Sequence, residues 1–178
     1  MIEKALIFAS IAHEGQRRKG TDIPYMLHPM EAGTIVAGIK YDEELITAAL
    51  LHDVIEDTPF TANDIEARFG ERVLRLVAAS SEDKSKSWEE RKQAAIDRLS
   101  AEVDRDVLII SLADKLSNIR QIYRDYKAIG DRLWSRFNRG YAEQEWYYTG
   151  LIQGLQALSD LPEYHEFKRL SDEVFGQA

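Results

Sequence analysis

The stretch from Leu50 to Thr58 places ionisable side chains inside an apolar run, and this feature limits the folds open to the chain. His52 and Asp53 interrupt residues that otherwise favour a buried helix. Burying an unpaired imidazole and carboxylate would cost several kcal/mol, so other segments must converge on them with partners. A divalent metal ion is one partner that satisfies both groups at once.

A second acidic pair, Glu56 and Asp57, follows four residues later. We predict one helix from Glu43 to about Ile55, capped by Asp42. Because residues four apart share a helix face, the acidic pair is expected directly over the His-Asp pair. One surface would then carry two metal ligands and two further carboxylates, which can serve as a base.

A His-Asp dipeptide alone also fits a solvated surface pair or a buried hydrogen-bonded pair. Two other side chains favour the metal site, because His28 and Asp114 each lie beside apolar residues and can each bind a metal. The order along the chain is His28, then His52 and Asp53, then Asp114. Two nitrogens and two or more oxygens leave open positions on a six-coordinate ion for water and substrate.

These motifs, in this order, resemble the HD-domain metal-dependent phosphohydrolases. Four segments look like the hydrolase domain of the RelA/SpoT alarmone enzymes, and they are residues 12–19, 24–29, 52–58 and 113–118. We expect no synthetase or regulatory region to accompany them. The chain is therefore similar to a stand-alone small alarmone hydrolase.

The resemblance implies an all-α fold, with a single helical HD-type hydrolase domain over residues 1–178. Within it, the aromatic helical region at about 130–178 is less family-like. The implied reaction removes the 3′-pyrophosphate from a purine nucleotide alarmone, (p)ppGpp or (p)ppApp, and releases pyrophosphate. Mn²⁺ is the expected cofactor, with another divalent ion as the alternative.

The resemblance also implies a role for individual residues. The implied metal ligands are His28, His52, Asp53 and Asp114. Glu56 and Asp57 match the acidic pair that these enzymes use to take a proton from water or to orient it. The implied substrate-binding residues are Arg18, Lys19, Tyr25, Lys115 and Asn118. His13 is expected to pack or to support the site, and His165 is expected to be exposed.

Two other functions stay open on the sequence. The first is an HD-type phosphomonoesterase that acts on nucleotide 5′-phosphates or on the 2′-phosphate of NADPH. The second is a catalytically silent helical domain that binds a nucleotide or a protein partner. The carboxylates of Glu56 and Asp57 argue against a silent domain, because they would repel a polyphosphate without serving its binding.

Composition narrows the partners and the ligand chemistry. The chain has no cysteine, so any metal is held by nitrogen and oxygen. The net charge of −8 opposes nonspecific binding to nucleic acid, whereas the local cations Arg17, Arg18 and Lys19 suit a small anionic nucleotide. We expect no membrane partner and a cytoplasmic location, because no apolar run approaches the length of a membrane span. The oligomeric state is left open, with the aromatic final third as a candidate interface.

Helical periodicity and capping signals predict helices along the whole chain. The predicted bounds are 2–18, 29–39, 43–55, 62–69, 71–79, 88–99 and 105–122, followed by two helical pieces divided near Gly140 and a terminal helix from Pro162. The basic triplet is then expected at the end of the first helix and in the loop after it. Residues 80–87 are predicted to form a polar loop, and the aromatic residues of the final third to be mostly core.

Overall fold

The computed structural model describes residues 1–79 and 81–176, and within them every regular element is a helix. The α-helices are α1 (Ile2–Ala12), α2 (Leu27–Ile39), α3 (Glu43–Leu51), α4 (Val54–Asp57), α5 (Ala62–Phe69), α6 (Glu71–Ala78), α7 (Trp88–Ala101), α8 (Arg105–Ile129), α9 (Tyr141–Gly154) and α10 (Pro162–Phe175). Short 3-10 helices cover Gly130–Arg136 and Gln156–Leu158. The all-α prediction is confirmed.

The chain forms two compact units. The first contains residues 1–79, 81–82 and 104–114, and the second contains residues 83–103 and 115–176. Helix α8 begins in the first unit and continues into the second. The single-domain organisation stays a prediction, because a division by packing does not test independent folding.

Helix α3 is the centre of the first unit. It packs against α1, α2 and α6, and every residue from Leu45 to Leu51 is buried. From Leu45 onward the sequence of α3 is apolar all round apart from Thr47, which is the composition of a helix covered on every side. The Asp42 carboxylate caps the helix by accepting hydrogen bonds from the N–H groups of Glu44 and Leu45, both at 3.1 Å. This cap confirms the predicted start of the helix.

Helices α2 and α3 approach each other closely where Gly33 faces Leu50. A β-carbon on Gly33 would lie 2.8 Å from Leu50 Cδ2 and 3.0 Å from Leu50 Cγ. Such distances are shorter than carbon atoms tolerate, so the absence of a side chain at Gly33 permits this packing. The close approach matters because one predicted histidine ligand lies on α2 and the other directly follows α3.

The predicted length of the first helix was wrong. Helix α1 ends at Ala12, and Gly15 adopts a φ of +75° shortly afterwards. A glycine in this left-handed region turns the chain out of the helix. The basic triplet at residues 17–19 therefore lies in a loop that is closed by an isolated bridge between Arg17 and Pro24.

Helix α8 is longer than predicted. It continues past Ile122 to Ile129, and the chain leaves it at Gly130, whose φ is +59°. No proline or glycine occurs between these two residues, so nothing local ends the helix earlier.

In the second unit, the remaining boundaries agree with the predictions. Ser87 forms a capping box with Glu90, and Pro162 occupies the first turn of α10. The predicted loop is non-helical from residue 81 to 87, and Ser80 lies outside the described residues. None of the helices described is both long enough and apolar enough to cross a membrane.

Aromatic residues form much of the core of the second unit, as predicted. Tyr147, Tyr148 and Phe167 are buried. The ring of Phe175 stacks on Tyr148 with centroids 5.2 Å apart, and its backbone carbonyl accepts a hydrogen bond of 2.7 Å from the Tyr141 hydroxyl. These contacts fix the ends of α9 and α10 together.

Candidate metal centre

Two buried histidines meet where α2 and α3 pack together. His28 lies in the first turn of α2, and His52 directly follows α3. Each residue is only 3% exposed. Their Nε2 atoms lie 3.2 Å apart, and their rings meet edge to face at an interplanar angle of 74°. Both imidazoles therefore aim the same nitrogen at one point.

Two carboxylates complete the cluster. Asp53 Oδ2 lies 3.0 Å from His52 Nε2 and 3.5 Å from His28 Nε2. Asp114 Oδ1, supplied by α8, lies 3.2 Å from His28 Nε2 and 3.7 Å from His52 Nε2. The side chains of Asp53 and Asp114 are 19% and 14% exposed, so the cluster reaches solvent on its carboxylate side. The structure thus brings together the four side chains that the sequence predicts as ligands.

The hydrogen bonding of His52 suits metal coordination. Its Nδ1 atom lies 2.8 Å from the carbonyl oxygen of Ala49. A carbonyl oxygen only accepts, so Nδ1 carries the hydrogen, and the Nε2 of a neutral ring then offers its lone pair to the cluster. The donor atoms of His28, His52 and Asp114 lie within 4.8 Å of one another, and this group can hold a metal ion.

The electrostatics of the cluster favour bound positive charge. Burial alone would lower the pKa of His52, but the nearby carboxylates of Asp53 and Asp114 outweigh it and hold that pKa well above its ordinary value. Burial would likewise raise the pKa of Asp53, but His52 and His28 hold it well below its ordinary value. Since the same groups bind protons or a cation, a divalent ion would compete with protons for this cluster.

Tyr25 contacts one of the predicted ligands. Its hydroxyl donates a hydrogen bond of 2.6 Å to Asp53 Oδ2. Burial, together with the negative charge of Asp53, raises the pKa of Tyr25, so the phenol keeps its proton for this bond. The contact orients a ligand from outside the cluster. The substrate-binding role of Tyr25 stays a prediction.

The predicted continuous helix through the His-Asp pair was wrong. Helix α3 ends at Leu51, and the four-residue α4 begins at Val54. His52 and Asp53 form the turn between the two helices, so Glu56 and Asp57 belong to a separate helical turn. Glu56 is half-buried and Asp57 is exposed. The spacing argument assumed one uninterrupted helix, and the structure has two helices separated at the metal-capable pair.

The two predicted cations of the basic loop lie in different surroundings. Arg18 is half-buried, with its guanidinium carbon 5.6 Å from the centroid of the Tyr25 ring, whereas Lys19 is exposed. The backbone N–H of Arg18 donates to the Ile23 carbonyl at 2.8 Å, which closes the loop. Arg18 is thereby placed beside the tyrosine that contacts Asp53.

The other predicted substrate residues belong to the second unit. Lys115 and Asn118 are half-buried residues of α8 that follow Asp114 along the helix. Their substrate roles stay predictions, as do those of Arg18 and Lys19. His165 is exposed, as expected, and His13 is buried against Tyr25 with ring centroids 4.9 Å apart.

Sequence reasoning missed Gln16. Its side chain bonds to His13 and to the backbone of Asp57, which is 41 residues away. A polar residue three positions after a buried histidine is the only local signal of this contact. The distant carbonyl cannot be found from sequence spacing, because tertiary packing alone brings it there.

Two buried histidines and two partly exposed aspartates form one cluster, and the described regular elements around it are all helices. This combination identifies the class of protein. The chain belongs to the HD domain family, whose sequence pattern matches residues 5–137.

Curated relatives within this family carry alarmone enzyme names. The guanosine-3′,5′-bis(diphosphate) 3′-pyrophosphohydrolase MESH1 of Drosophila melanogaster is 40% identical over 122 residues, which is 67% of this chain and 68% of that protein. The bifunctional (p)ppGpp synthase/hydrolase SpoT of Escherichia coli is 38% identical over 126 residues. This match covers 68% of the chain but only 18% of SpoT, so the chain spans under a fifth of that relative.

Two solved structures share the fold. A Listeria monocytogenes protein superposes with a TM-score of 0.79 at 34% identity, over 84% of this chain and 99% of its own. A metazoan SpoT orthologue, described as hydrolysing ppGpp and acting in starvation responses, superposes with a TM-score of 0.77 at 29% identity. That superposition covers 99% of this chain and 94% of the orthologue, so the fold similarity extends beyond the residues matched by the family pattern.

Proposed function

We propose that this protein is a metal-dependent hydrolase that removes the 3′-pyrophosphate from a purine nucleotide alarmone. The substrate would be (p)ppGpp or its adenosine counterpart (p)ppApp. One water molecule is consumed, and the products are pyrophosphate and the 5′-phosphorylated nucleoside. The family membership and the names of the relatives support the guanosine substrate, and the adenosine substrate rests on the chemical similarity of the two purines.

The convergence of two imidazoles and two carboxylates carries the proposal. His28, His52, Asp53 and Asp114 would hold the ion, and we propose Mn²⁺ as that ion. The nitrogen and oxygen donor set suits Mn²⁺, and the partly exposed carboxylate side leaves access for water and a phosphate. When bound, a divalent ion supplies Lewis acidity, which makes water more acidic and offsets phosphate charge.

The acidic pair after the cluster would assist proton transfer from the attacking water. Glu56, assisted by Asp57, would accept the proton of the attacking water or orient that water. Both lie on α4, which begins directly after the ligand Asp53.

The nucleotide would be held by cations and by hydrogen-bonding side chains. Arg18 would stack its planar guanidinium on the purine, while Lys19 would offer a point charge to phosphate. Tyr25, Lys115 and Asn118 would contact the ribose and phosphates. The chain would therefore act on a small nucleotide, and its net charge of −8 speaks against nucleic acid. We also propose that the protein is located in the cytoplasm, together with this small nucleotide substrate.

A substrate panel tests the proposal directly. The purified protein is supplied with Mn²⁺ and with ppGpp or pppApp, and released pyrophosphate is measured. Nucleotide 5′-monophosphates and NADPH are tested in parallel for released orthophosphate. We expect pyrophosphate from the alarmones and little orthophosphate from the monoesters. The reverse pattern would establish the phosphomonoesterase instead.

One variant links turnover to the cluster. Asp53→Ala should lower turnover by at least about 1,000-fold, because it removes a ligand and one of the two carboxylates beside the imidazoles. Asp131→Ala is the matched control, since Asp131 is an exposed aspartate of the second unit. Equal turnover by wild type and Asp53→Ala would refute the metal assignment.

A further inference from the structure

Gln16 joins three parts of the first unit that surround the candidate metal centre. Its backbone carbonyl accepts a hydrogen bond of 3.0 Å from the N–H of Tyr25. Its side-chain Nε2 donates a bond of 2.8 Å to the backbone carbonyl of Asp57, and its Oε1 lies 2.8 Å from His13 Nδ1. The residue thus contacts the basic loop, α4 and the buried histidine after α1.

The direction of these side-chain bonds is fixed by chemistry. The carbonyl of Asp57 only accepts, so the amide nitrogen of Gln16 must face it. The amide oxygen then faces His13, whose Nδ1 must carry the hydrogen. The opposite amide orientation would bring two acceptor oxygens together at the Asp57 carbonyl. One glutamine orientation therefore satisfies both neighbours, and His13, only 3% exposed, is a fixed support for it.

Helix α4 needs such a support. It has four residues, Val54–Asp57, and so only one turn. A single turn is not stable by itself, because it fixes several dihedral angles for few hydrogen bonds. The carbonyl of Asp57 is one of the last in this helix, where carbonyls lie beyond the regular helical bonding pattern. Gln16 donates to this carbonyl and ties the acidic end of α4 to the segment after α1.

The same residue is also linked to a predicted metal ligand. The Gln16 carbonyl holds the backbone of Tyr25, and the Tyr25 hydroxyl donates to Asp53 Oδ2 at 2.6 Å. One route from Gln16 therefore leads through Tyr25 to Asp53. The other leads directly to Asp57, next to Glu56. Gln16 is therefore linked to both Asp53 and Asp57, to the first through Tyr25 and to the second directly.

We propose that Gln16 is a positioning residue that sets the placement of the Glu56–Asp57 pair relative to Asp53. The proposal rests on the proposed function, because only a reaction at this site gives that placement a consequence. A carboxylate that is misplaced by about 1 Å loses on the order of 100-fold in rate. Gln16 contacts neither the acidic side chains nor the cluster itself through its own side chain, so it acts by holding the backbone.

Two substitutions at Gln16 separate its two bonds. Gln16→Met keeps the length of the side chain and removes both bonds. Gln16→Glu keeps an acceptor for His13 but cannot donate to the Asp57 carbonyl when ionised. Both variants should lower kcat by about 10- to 100-fold and leave KM within about 3-fold of wild type. Mn²⁺ affinity, measured by titration, should change less than about 3-fold, because all four predicted ligands remain.

Two substitutions at His13 test the support behind Gln16. Asn can place an amide N–H where His13 has its Nδ1–H, whereas Ala cannot. His13→Ala should lower kcat in the same direction as Gln16→Met, and His13→Asn should recover most of the loss. Glu14→Met is the control, since Glu14 is an exposed residue of the same segment. It should behave as wild type.

Hydrogen exchange provides a measurement that does not depend on turnover. The amides of Asp57 and Thr58 bond to the carbonyls of Asp53 and Val54 and are protected while α4 is formed. Gln16→Met and Gln16→Glu should raise exchange in residues 54–58 by about 10-fold relative to Glu14→Met. Unchanged exchange, or a lower melting temperature with unchanged kcat, would overturn the proposal.

The outcomes also separate this proposal from the proposed function. If wild type releases no pyrophosphate from any alarmone, the proposed function fails, and exchange in residues 54–58 alone decides whether Gln16 holds α4. If wild type is active and Gln16→Met has wild-type kcat, the proposed function stands and the role of Gln16 is refuted. If Gln16→Met does not fold, Gln16→Glu gives the same test with one bond retained.

Discussion

The Nε2 atoms of His28 and His52 face each other at 3.2 Å, with a carboxylate oxygen within 3.5 Å of each. Two ring nitrogens this close cannot both carry a hydrogen without repulsion. A shared proton or a shared cation resolves the contact. The two carboxylates favour added positive charge at the buried imidazoles, so a metal ion would compete with protons for this point.

Metal addition is expected to stabilise the folded protein. An ion that binds only the folded state at 100 times its Kd stabilises by about 2.7 kcal/mol. We expect Mn²⁺ to raise the melting temperature of the wild type and EDTA to reverse the rise. His52→Ala should abolish the effect, whereas the exposed control His165→Ala should keep it. An equal rise in His52→Ala and wild type would place the ion elsewhere.

The hydrogen bond from Tyr25 to Asp53 should affect metal affinity. Removing a group that orients a ligand from outside the coordination sphere costs about 10- to 100-fold in affinity. We expect Tyr25→Phe to weaken Mn²⁺ binding by about 10-fold, as measured by calorimetric titration. Tyr41→Phe is the control, because Tyr41 is 77% exposed. Unaltered affinity in Tyr25→Phe would show that Asp53 is held in place without this bond.

The close approach of α2 and α3 predicts opposite effects for two glycines of α2. Gly33→Ala should lower the free energy of unfolding by about 1 kcal/mol, because overpacking against Leu50 exceeds the gain in helix propensity. Gly38→Ala should raise it by about 0.5 kcal/mol, since a β-carbon there meets nothing within 4 Å. Urea unfolding measures both. A stabilising Gly33→Ala would mean that Leu50 moves aside at little cost.

Gly33→Ala should also weaken metal binding. His28 precedes Gly33 on α2, and His52 follows Leu50 after α3, so separating the helices separates the two ligands. Gly38→Ala should leave the affinity unchanged. Loss of stability in Gly33→Ala with unchanged Mn²⁺ affinity would show that the histidines adjust independently of the helix packing.

The lowered pKa of Asp42 predicts how the stability of the protein depends on pH. Hydrogen bonds from Arg72 lower the pKa of Asp42 from its ordinary value of 3.8 to about 2, against the opposing effect of burial. Because the folded-state pKa is the lower one, the stabilisation is fully present above about pH 4 and is lost as the pH falls toward 2. The carboxylate of Asp42 should therefore contribute to stability at neutral pH and not at pH 2.

Asp42→Asn measures this contribution. Asparagine keeps a cap for α3 but removes the charge that binds Arg72. We expect a loss of about 1 kcal/mol in the free energy of unfolding at pH 7, which is typical of a partly exposed ion pair. The difference in the free energy of unfolding between the variant and wild type should become smaller as the pH falls from 4 to 2. A constant difference over that range would show that the charge of Asp42 does not contribute to stability.

Local signals in the sequence predicted most helix starts. Asp42, Thr61 and Ser87 each cap the helix that follows, because a short polar side chain satisfies the first free N–H groups wherever such a helix forms. The helix ends were less predictable. Gly15 ended α1 early, and the absence of any breaker let α8 continue to Ile129.

The choice of the four cluster residues also followed from the sequence. Metal-capable side chains in apolar segments need partners, and the resemblance of the motifs to a family indicated which ones meet. The break of α3 at Leu51 did not follow, because His52 and Asp53 carry no helix-breaking chemistry of their own.

The sequence by itself determined that this chain is all-helical. It also determined that two histidines and two aspartates lie in apolar segments, which favour the interior of the protein. Hydrophobic spacing and capping act between neighbours in the chain, so they can be read without coordinates. Only the tertiary structure decided that α3 and α4 are separate helices and that Gln16 bonds to the carbonyl of Asp57. Contacts between residues far apart in the chain depend on how helices pack, and no local pattern encodes that geometry.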